Sequence, residues 1–108
     1  MGTDTLSMRA ASEHHTGTTV SLPVAVVATT AGEVRALLHD AVDRGTGPVV
    51  LDLGAVETFD VVGLGVVMGA HRRAAARGRH LRVVRPSRRV SAVLRITGVD
   101  RVLCPRER

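Results

Sequence analysis

The residues of this 108-residue chain that could do chemistry are few, and they centre on Asp60. It lies in the run Thr58-Phe59-Asp60-Val61-Val62-Gly63-Leu64-Gly65, between a strand-like apolar segment and a helical pattern. A carboxylate at such a junction can accept the free backbone N–H groups of Val62 or Gly63 and so cap the helix. Nucleophilic or phosphoryl chemistry would need a hydroxyl or a base beside it, and the valines that follow supply neither. Gly63, Gly65 and Gly69 suggest the dinucleotide-binding G-x-G-x-x-G, but Met68 stands where the third glycine belongs. The histidines, His14, His15, His39, His71 and His80, form no ligand spacing with Cys, Asp or Glu, so no metal site is expected. There is no G-x-S-x-G, P-loop or H-E-x-x-H pattern. Ser87 and Ser91 fit helix capping and surface roles, and Cys104 an inert, half-buried thiol. These residues argue against an enzyme, a bound cofactor or a small-molecule substrate. Binding is what remains.

Length and composition set the frame. A chain of 108 residues makes one domain, with enough surface to bury a single core. Phe59 is the only aromatic residue, so that core must be aliphatic. One cysteine rules out an internal disulfide, no apolar run reaches the roughly 20 residues that span a bilayer, and the first residues lack a signal peptide's apolar stretch. Cytoplasmic residence without membrane insertion is the expectation. Charge is unevenly spread. Up to His71 there are three arginines against eight acidic residues, a balance of −5; from Arg72 onward twelve arginines face two acids, a balance of +10. No lysine occurs. Such a basic half suits an acidic partner or nucleic acid, although arginine-rich codon usage alone would also produce it.

The elements that position Asp60 can be read along the chain. Residues 1–17 are polar and aperiodic, which predicts a flexible tail before a domain at 18–108. Thr18 to Ala28 is β-branched and apolar but broken by Pro23, so it should form an edge strand or two short pieces. Thr30-x-x-Glu33 has the spacing of a capping box. Val34, Leu37, Leu38, Ala41 and Val42 then form a helical stripe, which Gly45, Gly47 and Pro48 end. Val49 to Leu53 reads as a strand covered on both faces. A second helix is predicted over 62–77, a strand over 81–84, a third helix opened by Pro86-Ser87 and closed by Gly98, and a last short strand over 101–104. The helix–glycine–strand rhythm predicts an α/β fold in which helices pack on a mostly parallel or mixed sheet of four to five strands.

The order strand, short loop, then F-D-V-V-G-L-G at a helix start resembles the core of the STAS domain family, which includes the bacterial anti-sigma factor antagonists. Residues 72–103, with helix–glycine–strand, a Pro-Ser turn and T-G-V-D, are similar to that family's second half. The resemblance covers about residues 20–104. It implies a partner-binding module whose loop usually reads F-x-D-S-S-G-L, with phosphorylation on the first serine. Here Asp60, Gly63 and Leu64 keep the pattern, while Val61 and Val62 replace the hydroxyls, so no phosphorylation is expected at Val61. The family's G-E-L-D is represented by Val24-Ala25-Val26-Val27. On this resemblance the partner-binding residues are Asp60, Val61, Val62, Gly63, Leu64 and Val66, with Arg72 and Arg73 added from the basic half. The implied partner is an anti-sigma factor kinase or another signalling protein. A structural STAS subunit of a larger assembly, stressosome-like or lipid-transporter-associated, is the alternative. Direct nucleic-acid binding is disfavoured because the chain offers no aromatic platforms and no reading helix.

Overall fold

The computed structural model describes residues 11–14 and 17–103. The chain runs through β1 (Ala11–His14), β2 (Gly17–Ser21), β3 (Ala25–Val26), a 3-10 turn (Ala28–Thr30) and α1 (Ala31–Asp43). It continues through β4 (Val49–Asp52), β5 (Thr58–Phe59), α2 (Val61–Ala76), β6 (Leu81–Val84), α3 (Arg88–Ile96) and α4 (Asp100–Leu103). The main sheet has the order β1-β2-β4-β6. β2, β4 and β6 are parallel, with Val20, Leu51 and Val83 aligned across them, and β1 joins antiparallel. β3 and β5 form a separate two-stranded parallel ribbon, Ala25 opposite Thr58 and Val26 opposite Phe59. The architecture is the expected α/β arrangement with a mostly parallel sheet.

Alternation of side chains across the pleat decides which face is covered. Thr18, Val20, Val49, Leu51, Leu81 and Val83 are buried, whereas Thr19, Ser21, Val50, Asp52, Arg82 and Val84 are half-buried or exposed. The buried residues of α1 (Val34, Leu38, Ala41, Val42), α2 (Leu64, Val66, Val67, Ala70, Ala74), α3 (Val90, Leu94) and α4 (Leu103) join the covered set in one core. The sheet is thus covered on one face, not on both as the apolar run at Val49–Leu53 suggested. Val50 accounts for the difference: an aliphatic residue sits half-buried on the more open face.

Three further expectations need correction. Within the stretch expected as tail, Ala11–His14 is a strand that pairs with β2; a polar sequence can hold a strand by backbone bonding alone. The capping box at Thr30 does not form, because its hydroxyl turns back to accept from Val27 N (3.1 Å) and donate to Ala25 O (2.9 Å). The last segment is the helix Asp100–Leu103 rather than a strand, with Leu103 N donating to Val99 O and Leu103 packed into the core; Cys104 lies outside the described residues. Thr18–Ala28 does divide into two short strands around Pro23, and β6 falls at 81–84 as predicted.

Candidate binding surface at the start of α2

Asp60 caps α2: one carboxylate oxygen accepts from Gly63 N at 2.9 Å. The other accepts from Ala28 N at 3.1 Å, thirty-two residues away in sequence. A single side chain therefore ties the helix start to the 3-10 turn after β3. Asp60 N also donates to Val26 O (3.3 Å), so β3, the turn and the helix start form one unit. Gly63 makes that unit possible. A Cβ built on it would lie 2.0 Å from Val26 O, so any side chain there would push the helix off β3. Gly65 has open space around it and a Cβ on Gly69 would only meet Arg72 Nη2 at 3.9 Å, so close approach to β3 is the work of Gly63 alone among the three.

The Asp60 carboxyl is held below the ordinary carboxylate range, first by the Gly63 N–H, and by the Ala28 N–H against an opposing desolvation. A depressed folded-state pKa means that this contribution to stability is complete above the unfolded value of about 3.9 and is lost as pH falls through the folded value. Asp60→Asn should therefore melt lower than wild type at pH 7, with the gap narrowing below about pH 4. Thermal melts across that range test this; a gap independent of pH would contradict it.

Around this unit lie three exposed aliphatic residues. Val61 is 77% exposed, Val62 41% and Val24, whose carbonyl accepts from Glu57 N and Thr58 N, 52%. Leu64 and Val66, expected at the partner face, are buried at 8% and 6% and belong to the core. They border the wide buried arc of α2 that Gly63, Val67, Ala70 and Ala74 fill, with Val61 on the opposite side. Arg72 and Arg73 are not brought together with the loop either. They lie eleven and twelve residues along α2, roughly 16 Å away along its axis. Arg72 is exposed, but Arg73 donates through Nε and Nη2 to Asp43 at 2.9 Å each, and Arg77 Nε lies 3.0 Å from the same carboxylate. Asp43 is held below the usual range, first by the Arg73 hydrogen bond. This clamp joins α1 to α2, a pairing that no local sequence signal announces.

Among the described residues no three His, Cys, Asp or Glu side chains come together to hold a metal ion, and no helix is long and apolar enough to cross a membrane. The exposed hydroxyl nearest the helix start in sequence is Thr58, whose residue is held in the β3–β5 pairing. The site thus presents exposed aliphatic surface beside the Asp60 cap.

Solved structures share this fold. A Thermotoga maritima protein described as an anti-sigma factor antagonist superposes with a TM-score of 0.75 at 22% identity, over 89% of this chain and 83% of that one. The anti-sigma factor antagonist SpoIIAA in its unphosphorylated form gives 0.70 at 19% identity, over 85% and 82%. The Bacillus cell fate determinant SpoIIAA in its phosphorylated form gives 0.64 at 18%, over 85% of each chain. At such identities the likeness is one of fold. No curated protein matches the sequence. The family model described as "Mlab, STAS domain" matches residues 9–105, nearly the whole chain, and the chain belongs to the STAS domain family.

Proposed function

We propose that this protein is a regulatory protein-binding module of the anti-sigma factor antagonist kind, which engages an anti-sigma kinase or a related signalling protein and lacks a phosphoserine switch. One observation carries the reading: Val61, directly after the capping Asp60, is 77% exposed at a helix start that the Asp60 carboxylate ties to the turn after β3. Exposed aliphatic groups of that kind mark contact surfaces. In relatives that cycle between phosphorylated and unphosphorylated forms, the hydroxyl at this place takes the charge that repels the partner. Valine cannot take it. Binding is then constitutive, and release must come from competition or from turnover of the partner.

The same fixed apolar surface also suits a second reading, a permanent structural subunit of a larger STAS-containing assembly. Both readings share the contact and the missing switch, and they differ in whether the complex exchanges partners. Incubation with ATP and the kinase encoded nearest to this gene, followed by mass spectrometry, should leave residues 59–65 unmodified and the complex intact. Phosphate on Thr58 with dissociation of the complex would restore a switch and overturn the proposal.

A further inference from the structure

A second surface, remote in sequence from the α2 start, carries the other two exposed large aliphatic residues among the described residues. Ile96 is 81% exposed and Val102 40%. Both sit in the basic half of the chain. At about 100° per residue, Val90 and Leu94 define the buried side of α3, and Arg88, Arg89, Arg95 and Ile96 fall on the opposite side. Arg101 and Val102 are exposed on α4, which packs against α3. Among the described residues no carboxylate lies within ion-pair distance of Arg88, Arg89, Arg95 or Arg101. Arg44, Arg73, Arg77 and Arg85 are ion-paired with Asp40, Asp43 and Asp52. Arg35, Arg72 and Arg82 are also exposed and without an ion pair, but they are spread over α1, α2 and β6, whereas α3 and α4 carry four such arginines within fourteen residues.

From this we infer that the outer face of α3 and α4 docks the domain on an anionic lipid surface. Charge complementarity selects the class of occupant: four unpaired guanidinium groups attract a phosphate-rich surface, each strengthening the attraction near an anionic bilayer. The aliphatic residues select within that class. A nucleic-acid backbone gives an isoleucine nothing to bury against, whereas a headgroup boundary takes in a short aliphatic group beside paired cations. Ile96 stands out from the last turn of its helix instead of lining a cleft, which suits a deformable surface that demands no matching pocket. The docking is peripheral and reversible, with the α2 start left free for its protein partner.

Flotation of the full chain with vesicles tests this. Vesicles of phosphatidylglycerol and phosphatidylcholine in equal parts should retain the protein at low salt, and pure phosphatidylcholine should not. The triple change Arg88→Gln, Arg89→Gln, Arg95→Gln should lower partitioning at least about tenfold. Ile96→Ser, which leaves charge untouched, should lower it about fivefold. All four positions are exposed, so circular dichroism should show an unchanged fold. Absence of binding to the anionic vesicles would overturn the inference. So would binding indifferent to Ile96→Ser, or binding to duplex DNA that matches or exceeds binding to vesicles, which would assign the surface to nucleic acid. Val61→Asp should leave vesicle binding unchanged, so failure here is distinguishable from failure of the α2 contact.

Discussion

Replacing Arg79 by Met is expected to lower the stability of the domain by about 3 kcal/mol, with a fall in Tm of more than about 10 °C. Arg79 is 7% exposed and meets no carboxylate. Its guanidinium instead donates to backbone carbonyls: Gly47 O at 2.8 Å, Val42 O at 2.9 Å, Thr46 O at 3.1 Å, Ala41 O at 3.2 Å and Arg44 O. Nη2 also donates to the hydroxyl of the buried Thr18 at 2.8 Å. Ala41 and Val42 lie in the last turn of α1, whose carbonyls have no partner within the helix. A cation at that end also meets the negative pole of the helix. One side chain thus closes α1, holds the loop 44–47 and braces β2. Met keeps the stem and removes the donors, leaving the Thr18 hydroxyl and the inner carbonyls with reduced pairing. Lys should fail nearly as badly, since one ammonium cannot span a fork of acceptors. Urea denaturation of both variants measures this, and a loss under about 1 kcal/mol would show that water replaces the guanidinium cheaply.

Gly63→Ala is expected to destabilise by more than about 2 kcal/mol, although alanine is the better helix former by about 1 kcal/mol. The added Cβ would meet Val26 O at 2.0 Å, Val26 C at 2.8 Å and Val26 Cγ1 at 2.9 Å. Val26 is fully buried, is paired with Phe59 and accepts from Asp60 N, so the strand cannot retreat without losing those partners. Gly65→Ala provides the contrast. Nothing lies within 4 Å of its built Cβ, so there the helix-propensity gain of up to about 1 kcal/mol should emerge with the opposite sign. Equal effects at both glycines would contradict the close approach of α2 to β3.

Periodic features were legible in the sequence because their cause is local. The stripe Val34-Leu38-Ala41-Val42 is buried as its spacing demands, and Ser87 caps α3 through Val90 N at 3.1 Å where the Pro-Ser turn indicated a start. Asp60 as a cap, and the STAS likeness built around it, follow from residues adjacent in the chain. What sequence could not reveal depends on partners far apart. Arg79 reads as one more arginine in a basic half, because its acceptors are carbonyls thirty-two to thirty-eight residues away. Leu64 and Val66 lie next to the exposed valines in sequence but on the inner side of the helix. Residues 100–103 close a helical turn in which Val102 N and Leu103 N donate to Val99 O, and Leu103 reaches the core from that turn. Pairing of β1 is carried by backbone groups, which composition does not report.

The central claim is that the exposed start of α2 binds a signalling protein permanently because Val61 cannot take a phosphate. Titration of the candidate kinase with wild-type protein and with Val61→Asp, in the presence of ATP, tests it most directly. Val61 is 77% exposed, so the substitution should leave the fold intact by circular dichroism. The account predicts stable binding by wild type and an affinity at least about tenfold weaker, roughly 1.4 kcal/mol, once an unpaired charge is placed beside Asp60. A folded Val61→Asp protein that binds as tightly as wild type would place the contact elsewhere and contradict the account.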